Sequence, residues 1–411
     1  MKKLLQINPV LRVSTSTGRI MQEIGELAMG NGWVSYVAYG RDGDVECKSL
    51  PIKIGSKWSI YWHGILTRLF DRHGLGSIDS TKRFIECIQL IKPDIIHIHN
   101  IHGYVLNYKL LFNYLSQCNI PVIWTIHDCW AYTGHCYHYS YVGCYKWHTQ
   151  CEHCIQKKDF PASFLLDRST KNFKDKKKSF TSIPQSMLTI VPVSDWMKTE
   201  MQSSFFKKYD FRVIHNGIDT KIFDICVSPE VKHRYNLNGQ HIILGVASIW
   251  SEEKGLLDFI KLSEMLNSDE IIILIGINSK QKRMLPPNIM GISRTENMWQ
   301  LAELYSAADV FVNPTWQDNY PTVNMEAIAC GTPVVTYRTG GSVETITDET
   351  GFVVDQGDIR GLLDAVRCIE ERGQSYYRTR CRTYALKHFG KEDRYTDYMN
   401  LYDCLLRKDK Y

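Results

Sequence analysis

Two carboxylates eight positions apart, Asp318 and Glu326, are the residues of this 411-residue chain best suited to chemistry. Asp318 stands in the run Asn313-Pro314-Thr315-Trp316-Gln317-Asp318-Asn319-Tyr320-Pro321-Thr322-Val323. Residues 309–312 before it are apolar and strand-like, and Asn319-Tyr320-Pro321 signals a turn. Residues 322–330 predict a helix that Gly331 stops before a strand at 333–337. One carboxylate then lies on a loop and the other inside the following helix, at the carboxyl edge of a parallel sheet. Open α/β folds bind ligands at that edge. The first N–H groups of the helix, around Thr322 and Val323, suit an anion. Carboxylates that accept sugar hydroxyls, next to amides that accept a diphosphate, make a nucleotide-sugar site.

A second candidate string is Ser248-Ile249-Trp250-Ser251-Glu252-Glu253-Lys254-Gly255, which closes another predicted strand. An ammonium at such a strand end can neutralise a diphosphate, a charge-assisted contact of about 1.5–3 kcal/mol. Taken alone, Lys254 reads rather as a surface lysine at a helix start. Cys129, Cys136, Cys144, Cys151 and Cys154 crowd another stretch with five histidines. Cys151 and Cys154 have ligand-pair spacing, and Cys136 and Cys144 could complete a structural zinc site. The intervals match no standard finger, so free buried thiols are the competing reading. Asp42-Gly43-Asp44 has metal-binding spacing but turn composition, and is read as a turn. His97, His99 and His102 are read as structural histidines, and 174–178, with four lysines, as a solvated face.

These groups need a scaffold, and two series of strands and helices supply it. Strands are expected at 4–7, 33–38, 94–99, 122–127, 189–193 and 212–215, with a helix at 19–29. A second series follows at 242–247, 271–277, 310–313, 334–337 and 352–354, with helices at 256–266, 298–307, 323–329 and 360–371. Short apolar strands alternating with helices predict parallel sheets covered on both faces. The fold class is therefore α/β, with two Rossmann-like domains facing across a cleft. The expected domains are 1–222, on the acceptor side with the Cys/His-rich insertion, and 223–390, on the donor side. Aromatic and apolar residues at helical spacing in 391–411 predict a last helix that returns to the first domain.

Bulk properties narrow the class. Hydrophobic content of 44% and charged content of 23% are ordinary for a globular protein. The start is too short an apolar run for a signal peptide, and no run approaches a membrane span, so a cytoplasmic place is expected. Thirteen cysteines, an odd number, do not suggest a disulfide framework. Residues 1–222 hold 28 Lys+Arg and 18 Asp+Glu, a net +10, whereas 223–411 hold 21 and 26, a net −5. A basic half suits an anionic acceptor or the inner face of a membrane, with Phe205-Phe206-Lys207-Lys208 as one contact. No basic helix stripe points to nucleic acid.

The string around Asp318 and Glu326 resembles the E-x7-E segment of glycosyltransferase family 4, with Asp318 in place of the first Glu. The region Trp124-Thr125-Ile126-His127-Asp128-Cys129-Trp130, with Gly134-His135-Cys136 and Val142-Gly143-Cys144, is similar to the subgroup that builds bacterial exopolysaccharides, including colanic-acid-type enzymes. The resemblance implies a GT-B fold and a retaining transfer that needs no metal cofactor. A nucleotide-diphosphate sugar would be the donor, and a lipid-linked or oligosaccharide chain the acceptor. It assigns Glu326, Asp318 and His127 to catalysis. Lys254, Asn319, Tyr320, Pro321, Thr322, Val323, Gly340 and Gly341 would meet the donor, and Gly18 the cleft. Many members carry an arginine where this chain has Ile249, so Arg294 or Arg19 is the expected second cation. A non-catalytic nucleotide-sugar-binding protein, or a GT-B isomerase or phosphorylase, is the alternative.

Overall fold

The computed structural model describes every residue except 13–14, 44–46, 227–228, 236, 238 and 409–411. The chain forms two compact units, Met1–His215 with Tyr395–Tyr411, and Asn216–Arg394. Each is a parallel sheet clothed in helices, as the alternation of short apolar strands and helices requires.

The first sheet runs Leu50–Lys53, Val34–Tyr39, Lys3–Ile7, Ile95–Ile98, Val122–Ile126, Leu188–Pro192, Asp210–Phe211. Successive strands are laid outward from Lys3–Ile7 in one direction. The chain then returns to Ile95–Ile98 and builds in the other. That reversal opens a crevice between the carboxyl ends of Lys3–Ile7 and Ile95–Ile98. One face of this sheet is apolar at its start and polar toward its carboxyl edge. Leu4, Ile95 and Ile123 pack with Ile20, Ile24, Tyr398 and Tyr402 in a buried cluster. Two positions further along the same strands stand Gln6, His97 and Thr125, all buried. His97 bonds the Tyr402 hydroxyl at 2.7 Å and Thr125 Oγ1 at 2.8 Å, and Thr125 meets the Tyr398 hydroxyl at 3.0 Å. The last helix, Lys391–Lys408, thus packs on the first unit through both apolar and polar contacts. On the opposite face Trp124 meets the rings of Phe112, Phe180 and Phe206.

The second sheet runs Ile289–Ile292, Glu270–Ile275, His241–Val246, Val310–Asn313, Val334–Tyr337, Gly351–Val354. Its order reverses between His241–Val246 and Val310–Asn313. The loops leaving those two strands carry Lys254 and Asp318.

Several local expectations are corrected. The strand expected at 212–215 is instead Asp210–Phe211. Two edge strands, Leu50–Lys53 and Ile289–Ile292, went unread, because the first is mostly exposed and contains Pro51, and the second is interrupted by Gly291. Asp42 and Gly43 lie in a short strand, Arg41–Gly43, rather than a turn, and Asp44 falls outside the described residues. Phe206 is fully buried and Phe205 half-buried, so that pair offers little apolar surface to a membrane. Lys176 is not solvated either. It is buried 3.6 Å over the Trp130 ring and donates to the Trp130 and Thr133 carbonyls at 2.7 and 3.0 Å.

Candidate active site

In the second unit, two loops at the sheet's reversal point are locked together. Gly255 adopts φ +77°, and a Cβ there would meet the Pro314 carbonyl oxygen at 2.3 Å, so only glycine fits. The Trp316 N–H donates to the Glu253 carbonyl at 2.8 Å, and its indole N–H to Asp258 at 2.6 Å. This close approach brings Lys254 Nζ to 2.7 Å from Asp318 Oδ2. The same ammonium lies 3.5 Å from Thr315 Oγ1 and from the Gln317 carbonyl. The Asp318 carbonyl accepts from the Gly341 N–H at 3.3 Å, which attaches the glycine pair to the same loop.

Glu326 lies in the helix Thr322–Ala329 and is almost wholly buried. It accepts from the Tyr305 hydroxyl at 3.2 Å. Burial, with the nearby Glu326 charge, holds that phenol well above its usual pKa, so it stays a donor. Pro321 is the N-cap residue and no side chain of it caps the helix, so the first N–H groups are not occupied in that way. Asn319, Thr322 and Val323 are half-buried around this start, and Tyr320 and Pro321 are buried.

Sequence reasoning missed what fixes this helix start. Asn324, wholly buried, accepts from the Asn313 side chain at 2.8 Å and donates to Ser342 and Thr345 at 3.1 and 2.9 Å. Thr336 Oγ1 meets Ser342 Oγ at 2.8 Å. The ends of two strands, the helix and the turn Gly340–Thr345 are therefore one polar network. An asparagine set among Val323, Met325, Ala327 and Ile328 was the available signal. Arg294 stands exposed beyond the edge strand Ile289–Ile292 and forms no ion pair with Asp318 or Glu326 among the described residues. Ile249 is 75% exposed on the loop that leads to Lys254.

In the first unit, His127 follows the strand Val122–Ile126 and faces a depression lined also by His99, His102, Asp128 and Trp130. Its protonation can be deduced. The Met21 carbonyl accepts at 2.8 Å from Gln6, so the amide nitrogen of Gln6 points there. The amide oxygen of Gln6 then faces His99 Nε2 at 3.1 Å, and that nitrogen must carry hydrogen. Burial holds His99 well below its usual pKa, so it is neutral and its Nδ1 is a lone pair. His127 Nε2, 3.3 Å from that lone pair, is therefore the donor. Burial also pulls His127 down to about 4, against the opposing charge of Asp128. His127 is thus neutral at pH 7, with Nε2–H spent on His99 and Nδ1 an acceptor. His99, read from sequence as merely structural, orients it. Asp128 meets His102 Nε2 at 2.6 Å and accepts from the Trp130 N–H at 2.9 Å.

Gly18 is buried in the helix Ser16–Gly30, where a Cβ would strike the Arg12 carbonyl at 2.3 Å. Its smallness serves its own tight loop. Arg19 follows it, half-buried, near Tyr395. Ser14, four residues before Gly18, lies outside the described residues.

The zinc expectation does not fit the thiols. Sulfurs around a tetrahedral zinc sit roughly 3.8 Å apart. Among the described residues, no group of three or more ligands that includes Cys136, Cys144, Cys151 or Cys154 gathers within 4.8 Å. Cys136 is instead hydrogen-bonded to Cys154, and the Cys151 sulfur accepts from the Gly134 N–H at 3.1 Å.

Two protein-family models match the chain, Glycosyltransferase Family 4 over residues 34–222 and Glycosyl transferases group 1 over residues 240–371. The Escherichia coli (strain K12) protein WcaC, named as a colanic acid biosynthesis glycosyl transferase, is 24% identical over 372 residues, 88% of this chain and 89% of its own. The capsular polysaccharide biosynthesis glycosyltransferase CapM of Staphylococcus aureus is 21% identical over 192 residues, 43% of this chain and 50% of its own. Among solved structures, sucrose-phosphate synthase from Thermosynechococcus elongatus superposes with a TM-score of 0.71 at 16% identity, covering 99% of this chain and 100% of that one. Anabaena HepE in complex with UDP-glucose gives 0.67 at 13% identity, covering 98% and 100%. These superpositions show a GT-B fold.

Proposed function

We propose that this chain, whose two halves match the Glycosyltransferase Family 4 and Glycosyl transferases group 1 models, carries out a retaining transfer from a nucleotide-diphosphate sugar onto a growing bacterial surface polysaccharide. The 2.7 Å approach of Lys254 to Asp318, beside the start of the helix that carries Glu326, is the observation that carries this reading. Lys254 and the N–H groups near Thr322 and Val323 take the diphosphate, with Asn319, Tyr320 and Pro321 shaping that end. Gly340 and Gly341, tied to Asp318, line the donor side. Asp318 orients the sugar, and Glu326 accepts the ribose hydroxyls. A uridine nucleotide is the first donor to test, since HepE is a relative in fold with UDP and UDP-glucose bound.

The first unit presents the acceptor past Gly18 and Arg19, and His127 Nδ1 accepts a hydroxyl hydrogen bond. The acceptor oxygen bonds to the anomeric carbon as the bond from that carbon to phosphate oxygen breaks. The acceptor proton passes to the leaving phosphate on the same face, so configuration is kept and no protein nucleophile is needed. Charge on the leaving group is met by Lys254 and backbone amides, so turnover is expected to continue in EDTA. Arg294 and Arg19 are the candidates for a second cation.

The acceptor is lipid-linked or oligosaccharide, in keeping with WcaC and CapM, whose names place them in colanic acid and capsule synthesis. The reaction would run at the inner face of the membrane, supported by the net +10 of residues 1–222. No described helix is long and apolar enough to cross a membrane. The test is transfer by purified protein from a panel of nucleotide sugars, with the product's anomeric configuration read by NMR. Inverted product, or no donor binding across the panel, would overturn the proposal.

A further inference from the structure

The helix Lys57–Phe70 in the first unit is turned inside out. Its buried residues are His63, Gly64 and Thr67. His63 is fixed there by Ser77 at 3.0 Å and by the N–H groups of Gly74 and Gly76 at 3.0 and 3.2 Å. Its outward side carries aromatic rings: Trp58 is 73% exposed, Tyr61 59% and Trp62 58%. Positions 58, 61, 62, 65, 68 and 69 follow helical spacing, so Ile65, Arg68 and Leu69 continue the same stripe. The three rings also touch edge to face, with centroids 6.2 Å apart in both pairs.

A loop extends this surface past the helix end. The Phe164 N–H donates to the Arg68 carbonyl at 2.7 Å and the Leu166 N–H to the Leu69 carbonyl at 3.2 Å. Phe164, Leu165 and Leu166, so held, are all exposed, as is Phe70. Charge around the stripe is mostly of one sign. The helix contains Lys57 and Arg68 and no acidic residue. Arg72 follows it, and Lys53 and Arg83 border its start, all exposed, against the exposed Asp79 and Asp167.

We propose that this face docks on an anionic lipid bilayer, lying in the interface with its aromatic rings at headgroup depth. The reasoning rests on the chemistry of the face and agrees with the lipid-linked acceptor of the proposed function, which it deepens. Tryptophan and tyrosine prefer the boundary between water and hydrocarbon, and flanking Lys and Arg meet lipid phosphates. A second copy of the chain fits less well. A symmetric contact would bring two faces of the same positive sign together. The basic net charge of the first half and this aromatic face then act together. Attraction brings the protein to the surface, and ring burial keeps it there.

Flotation of the full chain with vesicles of phosphatidylcholine alone, and with about a third phosphatidylglycerol, tests this. Expected is binding to the anionic vesicles, a blue shift of tryptophan fluorescence, and partial release by salt. Trp58→Ser with Trp62→Ser is expected to cut the partition coefficient at least tenfold, and Lys57→Glu with Arg68→Glu to abolish the preference for phosphatidylglycerol. Donor binding, read by thermal shift with UDP, is expected to be the same in all variants. This arm separates a failed surface from a failed donor site. Wild-type protein that stays off both vesicles, or a tryptophan variant that binds as well as wild type, overturns the proposal. A dimer in ultracentrifugation that the tryptophan changes dissociate, without vesicle binding, overturns it in favour of a second copy.

Discussion

Replacing Glu326 by Gln separates the fold of the donor site from its proposed chemistry. In the structure one Glu326 oxygen accepts from the buried Tyr305 hydroxyl at 3.2 Å. A glutamine keeps an oxygen able to accept that bond, and it matches the carboxylate in size. The packing of the helix Thr322–Ala329 therefore survives, and the melting temperature is expected to move by no more than about 2–4 °C, the effect of ~1 kcal/mol in a domain of this size. What changes is the strength of hydrogen bonds from a ligand. A bond to an ionised acceptor is worth about 1.5–3 kcal/mol and one to a neutral acceptor about 0.5–1.5. The loss is about 1 kcal/mol per hydroxyl, and two ribose hydroxyls give ~2 kcal/mol, or roughly 30-fold in affinity. Calorimetric titration of UDP into wild type and variant measures this directly. A control with the 2′,3′-dideoxy nucleotide is expected to show almost no difference between the two proteins. Equal affinity of both proteins for UDP, with stability unchanged, would refute the assignment of Glu326 to the ribose.

Lys254→Met is expected to lower kcat about 10- to 150-fold with donor saturating, from the ~1.5–3 kcal/mol of a charge-assisted contact, while Lys254→Arg keeps much of the rate. Unchanged kcat in the methionine variant counts against a role for Lys254 at the leaving group. For His127, nitrogen-15 NMR of labelled protein is expected to show hydrogen on Nε2 at pH 7, with titration only near pH 4. His99→Phe removes its acceptor and is expected to raise the share of the Nδ1–H form, and an unaltered ratio breaks the chain from Gln6 through His99. Lys176 gives a stability test with a definite sign. Burial pulls its pKa from 10.5 to about 7, so between those values the unfolded chain holds more protons than the folded one. Stability of the first unit is then expected to rise with pH from about 7 toward 10, by at most ~1.4 kcal/mol per pH unit from this group. Urea unfolding at pH 7 and 9 is expected to show that rise in wild type and a smaller one in Lys176→Met; identical slopes would contradict the burial of its charge.

The α/β class and most strands were legible in sequence because parallel strands buried on both faces appear as short apolar blocks, such as 310–313 and 334–337. Edge strands such as Leu50–Lys53 lack that burial and so lack the signal. Asp318 and Lys254 stood out as residue types at strand ends, since turn and glycine signals mark where a chain leaves a sheet. Their 2.7 Å approach did not, because it depends on which two strands lie beside each other at the reversal. Sequence also names amino acids without saying which way they face. Lys176 looked solvated and is buried over Trp130, while Phe206 looked available and is core. The helix Lys57–Phe70 shows the limit most plainly: it went unread in the sequence, and only packing decides that His63, Gly64 and Thr67 go in while Trp58, Tyr61 and Trp62 stay out. Local propensity and pattern are properties of neighbouring residues, so one chain carries them. Pairings such as Gln6 with His99, or Asn324 with Ser342, join residues far apart in sequence, and they exist only once the sheet has brought them within hydrogen-bond reach.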